Sequence, residues 1–262
     1  MNKTSLRDLP FTTIALVAIC VTAWLAQVAH GAPVSGTRPF DLIDWGGSLP
    51  LYVLTGEPWR LLTALFLHVS LVHLALNMLM LGLMGPQVER TLGSARMLEI
   101  FVVGGVLANA ANVGWTELHS SREQFGGLVT VLAGSSGGLM ALLGALLAPS
   151  MLSVLGQEPY ATLLGRQIDR NLLVTIAINV GICFLIPHWD KTINIAGALA
   201  GLLVSTILLV APWRNDTMAS LMRFAAVGLV LAACVGGVAR GGDRDFVDQL
   251  RGEYDSWRAA NR

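Results

Sequence analysis

The chain has 262 residues, of which 54% are hydrophobic and 13% are charged, and its formal net charge is zero. A soluble domain typically carries about 25% charged residues, so this composition excludes an ordinary soluble protein and indicates a polytopic membrane protein. The zero net charge, without a basic patch interleaved with aromatic residues, argues against nucleic acid as a partner.

Seven apolar runs lie between clusters of charged residues, each near the roughly 20 residues that span a bilayer as a helix. The third run is weakened by glycines and asparagines, and the seventh has only 16 residues between Arg223 and Arg240. Flanking arginines can reach the interface, so both remain predicted spans. The sequence thus predicts an all-α membrane domain over residues 1–240. We number the runs spans one to seven, at residues 11–28, 61–84, 98–115, 127–148, 171–187, 192–210 and 218–238.

The N-terminus is predicted to lie in the cytoplasm. Span one, behind Lys3 and Arg7, also resembles a secretory signal, but its apolar run is longer than a usual signal core and six more spans follow. With the N-terminus inside, the inner connections hold eight lysines and arginines and the outer ones four. The five arginines of the C-terminal tail would then lie outside, although neighbouring acidic residues neutralise them. We expect a bacterial cytoplasmic membrane, since the loops are short and no transit peptide is recognisable.

Two segments outside the spans have an apolar side. The connection over residues 30–60 is rich in glycine and proline, and its apolar patch over residues 51–54 could lie in the membrane interface. In the tail, residues 241–262, apolar side chains recur at helical spacing opposite charged ones. This pattern predicts an amphipathic interfacial helix, with a loosely ordered tail as the alternative. The apolar tail residues are Phe246, Leu250, Tyr254 and Trp257.

The three cysteines, Cys20, Cys183 and Cys234, lie in separate predicted spans and lack the spacing of metal ligands. They are expected to pack as small apolar residues. The sequence predicts neither a metal site nor a cofactor.

Residues 134–137 read Gly-Ser-Ser-Gly, inside a stretch without charge over residues 124–157. Polar groups at bilayer depth are costly unless they are satisfied, so Ser136 indicates a functional site. Gly134 and Gly137 would let a neighbouring helix approach the hydroxyl closely, although small residues of this kind also serve as plain packing motifs. The sequence also matches the Gly-x-Ser-x-Gly elbow of soluble hydrolases, but that elbow needs a strand before the serine, which an all-α chain does not offer.

His73 and Asn77 lie four residues apart on a predicted helix and therefore share one face. Both can donate hydrogen bonds, and donors that converge inside an apolar bundle suit the developing oxyanion of an acyl transfer. The alternative is that both simply bond neighbouring helices. Counted along their spans, His73, Ser136 and residues 196–201 lie at similar depth. His68, toward the outer end of span two, is expected to be structural.

Five segments between Trp59 and Ser205 form a specific combination. They are Trp59-Arg60, His73-x-x-x-Asn77, Gly85 with Glu89 and Gly93, Gly134-Ser135-Ser136-Gly137, and Asn-Ile-Ala-Gly-Ala-Leu-Ala-Gly at residues 194–201. Together they resemble the rhomboid intramembrane serine proteases. The resemblance implies a six-helix core over about residues 11–211 and an extra C-terminal membrane helix over about residues 218–238. It also implies that Ser136 is the nucleophile, that His73, Asn77 and the Ser136 amide form an oxyanion hole, and that the substrates are transmembrane proteins in the lipid bilayer.

The chain departs from this pattern in span six. The family places its general base in a Gly-His-x-x-Gly type of sequence, whereas Gly197 to Gly201 reads Gly-Ala-Leu-Ala-Gly. Ala198 is therefore expected to occupy the position of the missing histidine, between glycines that allow close helix packing. His188 lies about ten residues away, roughly 15 Å of helix rise, and is too far to act as the base. His73 could substitute only by giving up its role as a donor.

Loss of the base typically costs about a million-fold in turnover, so the chain as given is predicted to be nearly inert. Two explanations stay open: a His-to-Ala variant of a working protease, or a natural pseudoprotease that binds membrane helices without cutting them. The first explains better why Ser136, His73 and Asn77 occur together. A transporter or channel lacks support, because the spans contain no paired charges and no inverted repeat.

Overall fold

The computed structural model describes residues 9–121, 123–154, 191–210, 227–232 and 244–261, and the single residues Ala177, Gly181, Ala225, Cys234 and Gly236. Within this part we number ten α-helices in chain order, and residues 227–232 are helical as well. The numbered helices are α1 (Phe11–Ala29), α2 (Pro39–Asp44), α3 (Pro50–Leu54), α4 (Arg60–Thr63), α5 (Leu71–Leu92), α6 (Ser94–Leu118), α7 (Ser136–Ala145), α8 (Ala148–Val154), α9 (Lys191–Val210) and α10 (Arg244–Ala260).

Four helices, α1, α5, α6 and α9, are long and apolar enough to cross a membrane, and α7 is a shorter apolar helix. Spans one, three and six are therefore confirmed as helices, and the predicted all-α polytopic membrane fold is confirmed with them. Apart from Ala177 and Gly181, span five lies outside the described residues, as do His188 and Cys183. Of span seven, residues 227–232 are described and are helical.

Span two is not one continuous helix, which corrects the prediction for its first third. After α4 the chain makes a 3-10 turn over Ala64–Phe66 and becomes extended at Leu67. Helix α5 begins only at Leu71, where the Ser70 hydroxyl accepts a hydrogen bond of 3.2 Å from the His73 backbone N–H. A serine that caps a helix in this way satisfies an otherwise unpaired amide of the first turn.

Span four is also broken, and α7 starts nine residues later than its predicted beginning at Gly127. A 3-10 turn over Gly126–Val129 leads into extended backbone, where Leu132 and Ser48 exchange two hydrogen bonds of 2.8 and 2.9 Å. Gly134 has φ +139°, a conformation that other residues rarely adopt. Such non-helical backbone is tolerated at membrane depth where protein buries it.

Three helices, α6, α7 and α9, form the inner bundle and approach one another backbone to backbone. A Cβ atom on Gly144 would collide with the Ala198 carbonyl oxygen, and one on Gly201 would collide with the Ala141 carbonyl oxygen. A Cβ atom on Gly197 would lie 2.5 Å from the Gly137 carbonyl oxygen. At Gly137, Gly197 and Gly201, the backbones of α7 and α9 therefore lie close together.

The first connection and the tail form an outer layer of α2, α3, α4 and α10. Val247 and Leu250 of α10 are buried in one apolar cluster with residues of α3. The tail is therefore helical, as its spacing predicted, and the alternative of a loosely ordered tail is wrong for residues 244–260. This contact also requires that the first connection and the tail lie on the same side of the membrane. The six predicted spans between them, an even number, agree with that arrangement.

Candidate active site

Ser136 is the first residue of α7 and its side chain is half-buried. The first backbone N–H groups of a helix have no partner within the helix, and its N-terminal end favours negative charge. The non-helical turn before Ser136 is held by Gly134, whose N–H donates to the Ala64 carbonyl at 2.9 Å. Local structure thus presents the hydroxyl at the start of a helix and not, as the sequence suggested, in the middle of one.

The His73 imidazole packs directly on this turn. Its Cε1 and Nε2 atoms lie 2.6 and 2.9 Å from the position that a Cβ atom on Gly134 would occupy. Asn77 follows one helical turn later on the same face of α5 and is buried. Its Nδ2 has no hydrogen-bond partner among the described residues. The structure therefore brings His73 to the loop of Ser136. One turn further along α5, the Asn77 amide donates no hydrogen bond to the described residues.

A second serine and histidine, Ser135 and His68, meet beside these residues, and the sequence did not predict their contact. His68 Nε2 lies 3.3 Å from Ser135 Oγ, and both residues are 0% exposed. The His68 and His73 rings are edge to face, with centroids 5.3 Å apart. The spacing in the sequence gave no signal of this pair, because 67 residues separate its members.

The packing register of α9 on α7 decides which residue of α9 lies near Ser136. Ile193 Cγ2 is 3.2 Å from the position of a Cβ atom on Gly137, so this part of α9 packs at the start of α7. The backbone of Ala198 instead packs on Gly144. Gly144 is eight residues beyond Ser136 in the same helix, about 12 Å of rise. This register disagrees with the expectation that Ala198 stands opposite Ser136.

Asn194, which follows Ile193, is the buried polar residue of α9 closest in register to the start of α7. It is 4% exposed, and neither its Oδ1 nor its Nδ2 has a partner among the described residues. Ser205, which is also buried in α9, donates to the Ala145 carbonyl at 3.4 Å. An unsatisfied buried amide costs about 1–3 kcal/mol, which makes Asn194 an exception that calls for a functional explanation. Sequence reasoning missed it because the glycines alone set the register in span six.

The sequence of α9 contains no histidine, aspartate or glutamate that could act as a general base. Among the residues that the structure describes, no three His, Cys, Asp or Glu side chains converge as metal ligands would. The chemistry available around Ser136 is therefore that of two hydroxyls, two imidazoles and two carboxamides.

Comparison with known proteins matches residues 55–211 to the Rhomboid domain. The rhomboid protease GluP of Bacillus subtilis is 29% identical over 198 residues, which cover 76% of this chain and 34% of that protein. The rhomboid protease AarA of Providencia stuartii is 27% identical over 209 residues, 77% of this chain and 74% of that protein. The Rhomboid-like protease 2 of Toxoplasma gondii is 32% identical over 202 residues, 73% of this chain and 62% of that protein.

This chain thus spans about a third of the Bacillus relative and about three quarters of the Providencia relative. The matched domain covers more than half of the chain and includes α4 to α9. The chain belongs to the rhomboid family.

Proposed function

We propose that this chain has the active-site scaffold of an intramembrane serine endopeptidase that acts on transmembrane segments of membrane proteins. The observation that carries the proposal is the packing of His73 on the turn that leads into Ser136. In the reaction, Ser136 Oγ attacks the scissile carbonyl carbon, and its proton passes through a base to the amine, which leaves as the C–N bond breaks. Water then hydrolyses the acyl-enzyme ester and restores the Ser136 hydroxyl. His73, Asn77 and the Ser136 amide donate hydrogen bonds to the oxyanion that develops on the carbonyl oxygen.

The base is the missing part of this mechanism. It must lie about 3 Å from the Ser136 hydroxyl or act through one water molecule. Asn194 has the register on α9 that suits such a group, but a carboxamide is neutral and does not accept a proton at physiological pH. We therefore propose that the chain as given hydrolyses substrates about a million-fold more slowly than a complete Ser-His pair would.

A second function, binding of membrane helices without cleavage, is favoured by the chemistry of Asn194. Its buried carboxamide offers one acceptor and two donor hydrogens, and none is used among the described residues. The backbone of an unwound transmembrane segment presents the complementary groups, and in a water-poor site it must find partners. A pseudoprotease with this residue would hold a substrate backbone where a protease would cut it.

The two functions are separated by placing a histidine on α9 at either of two positions. Asn194→His and Ala198→His would be purified, reconstituted in lipid vesicles and incubated with a transmembrane substrate and with a fluorophosphonate probe. We expect Asn194→His to cleave the substrate and to label at Ser136, and Ala198→His to do neither. Ser136→Ala in the Asn194→His background is the control and should abolish both signals.

Two outcomes would count against this scheme. Cleavage only by Ala198→His would contradict the register of α9 and restore Ala198 as the position of the base. Failure of both folded variants to cleave or label would reject the protease scaffold. In that case, binding of a transmembrane peptide by the unaltered chain that weakens in Asn194→Ala would support the binding function.

We also propose that the N-terminus lies in the cytoplasm of a bacterium, so that the outer layer faces the opposite side. The excess of lysine and arginine in the predicted inner connections supports this orientation. Labelling of single cysteines in α2 and α10 with a membrane-impermeant thiol reagent in intact cells tests it. Labelling only after the membrane is permeabilised would reverse the orientation.

A further inference from the structure

The hydrogen bond between His68 and Ser135 has no role in the reaction proposed above, yet it lies one residue from the nucleophile. Both side chains are fully buried, so water does not compete for either partner. Burying two polar side chains costs desolvation free energy that apolar side chains would not cost, so the presence of this pair calls for an explanation. His68 also donates its backbone N–H to Gln27 Oε1 at 3.4 Å, which ties it to α1.

Ser135 joins two parts of the backbone that need a fixed relation. Its carbonyl accepts the Leu139 N–H at 2.9 Å and so closes the first turn of α7. Its side-chain hydroxyl forms a hydrogen bond with His68, which lies in the segment before α5. Gly134, immediately before it, has the conformational freedom of a glycine at positive φ. Without the Ser135 hydroxyl, the turn would keep its attachment at Gly134 N–H but lose the one nearest Ser136.

His68 also contacts the proposed oxyanion donor. Its ring packs edge to face on that of His73, and His73 in turn packs on Gly134. The bond from His68 to Ser135 therefore closes a ring of contacts around the loop of the nucleophile. A displacement of about 1 Å in such a group can cost about a hundred-fold in rate.

We infer that His68 and Ser135 are positioning residues, whose hydrogen bond fixes the Ser136 hydroxyl and amide relative to His73. Neither touches the substrate. The inference rests on the proposed peptidase scaffold, and it predicts a loss of turnover with little change in substrate affinity.

The test uses Asn194→His as the parent and compares Ser135→Ala with Ser205→Ala. Both changes remove a buried serine hydroxyl, but the Ser205 hydroxyl bonds the end of α7 and not its beginning. We expect Ser135→Ala to lower kcat about 10- to 100-fold with KM nearly unchanged, and Ser205→Ala to leave kcat unchanged. His68→Phe, which keeps an aromatic ring but loses the bond, should resemble Ser135→Ala. Ser135→Thr, which keeps a hydroxyl, should recover much of the loss.

A second measurement, on the chain as given, separates this inference from the proposed function. Hydrogen–deuterium exchange of residues 132–137 should rise in Ser135→Ala and stay unchanged in Ser205→Ala, whether or not Asn194→His cleaves anything. Unchanged exchange of these residues in Ser135→Ala would overturn the inference. Fluorophosphonate labelling that survives in Ser136→Ala and disappears in Ser135→Ala would also overturn it, because Ser135 would then be the nucleophile.

Discussion

The inner bundle and the outer layer of this protein are held together by different forces. In the inner bundle, α6, α7 and α9 meet through glycines whose missing side chains let backbone touch backbone. In the outer layer, α10 is attached to the first connection by arginine, carboxylate and tyrosine side chains. The glycine contacts of the inner bundle leave no space for an added side chain. The contacts of α10 are made by long side chains at the surface of the bundle. The inner bundle therefore depends on steric fit between backbones, whereas the outer layer combines the apolar contacts of Val247 and Leu250 with charged and polar side-chain contacts.

A continuous set of contacts connects the two regions. The Glu57 carboxylate accepts a hydrogen bond from Arg251 of α10. Its other oxygen accepts one of 2.7 Å from Arg60 Nε of α4. Arg60 donates to the Gly47 carbonyl at 3.2 Å. The next residue, Ser48, pairs with Leu132 in the segment that leads to Ser136. The outer layer therefore supports the loop of the proposed nucleophile, although it lies outside the bundle.

The largest effect is expected from adding one methyl group to the inner bundle. In Gly144→Ala the new Cβ would collide with the Ala198 carbonyl oxygen, so α7 and α9 must separate. Overpacking of this kind costs about 1–3 kcal/mol or more, and we expect a lower midpoint of unfolding and a lower yield of folded protein in detergent. Gly82→Ala in α5 is the matched control, because nothing lies within 4 Å of its Cβ position. An equal loss in both variants would show that the effect comes from the helix and not from the contact.

The second effect is expected at the turn before the nucleophile. Gly134→Ala would force an unfavourable φ and would also drive a Cβ into the His73 ring. Gly93 also has a positive φ, +89°, but has open space around it, so Gly93→Ala measures the cost of a positive φ without a side-chain collision. We expect Gly134→Ala to be destabilised by about 1–3 kcal/mol more than Gly93→Ala and to abolish cleavage in the Asn194→His background. Equal stability of the two variants would show that His73 moves away without cost.

Three of the long membrane helices, α1, α6 and α9, were predictable from the sequence, because the length of an apolar run identifies such helices directly. The breaks in spans two and four were not, since an apolar run does not distinguish a helix from buried irregular backbone. Serine is a common helix-capping residue, but Ser70 lies inside the apolar run of span two, where the sequence does not mark it as the start of a helix. The position opposite Ser136 could not be predicted either. This position depends on the packing register of α9 on α7. The glycines of the two helices are compatible with registers that differ by one helical turn.

A smaller effect is expected when the attachments of α10 are removed. Arg258 bonds Asp44 and Tyr52, and its side chain is 12% exposed. Arg258→Ala should loosen α10 by about 1 kcal/mol, after allowance for screening of partly exposed charges. Limited proteolysis should then cut within residues 244–260 at a lower protease concentration. Arg38→Ala is the control, because that side chain is 69% exposed and pairs only with nearby Asp41 among the described residues, so we expect no change.

The smallest effect is expected from alkaline pH, and it acts on the outer layer alone. Burial, together with the hydrogen bond that Tyr52 donates to Asp255, raises the pKa of the Tyr52 phenol above its usual value of 10.0. A raised pKa means that docking of α10 favours the neutral phenol. This contribution is complete below about pH 10 and is lost as the pH rises through the higher pKa of the docked state. The fluorescence of Trp257, which contacts Phe40 at 5.6 Å between ring centroids, should report the release of α10. In Tyr52→Phe the docking should be weaker at neutral pH but should change less between pH 9 and pH 11 (roughly the window set by the phenol). An unchanged alkaline transition in Tyr52→Phe would assign the transition to another group, such as Tyr254, whose pKa burial also raises.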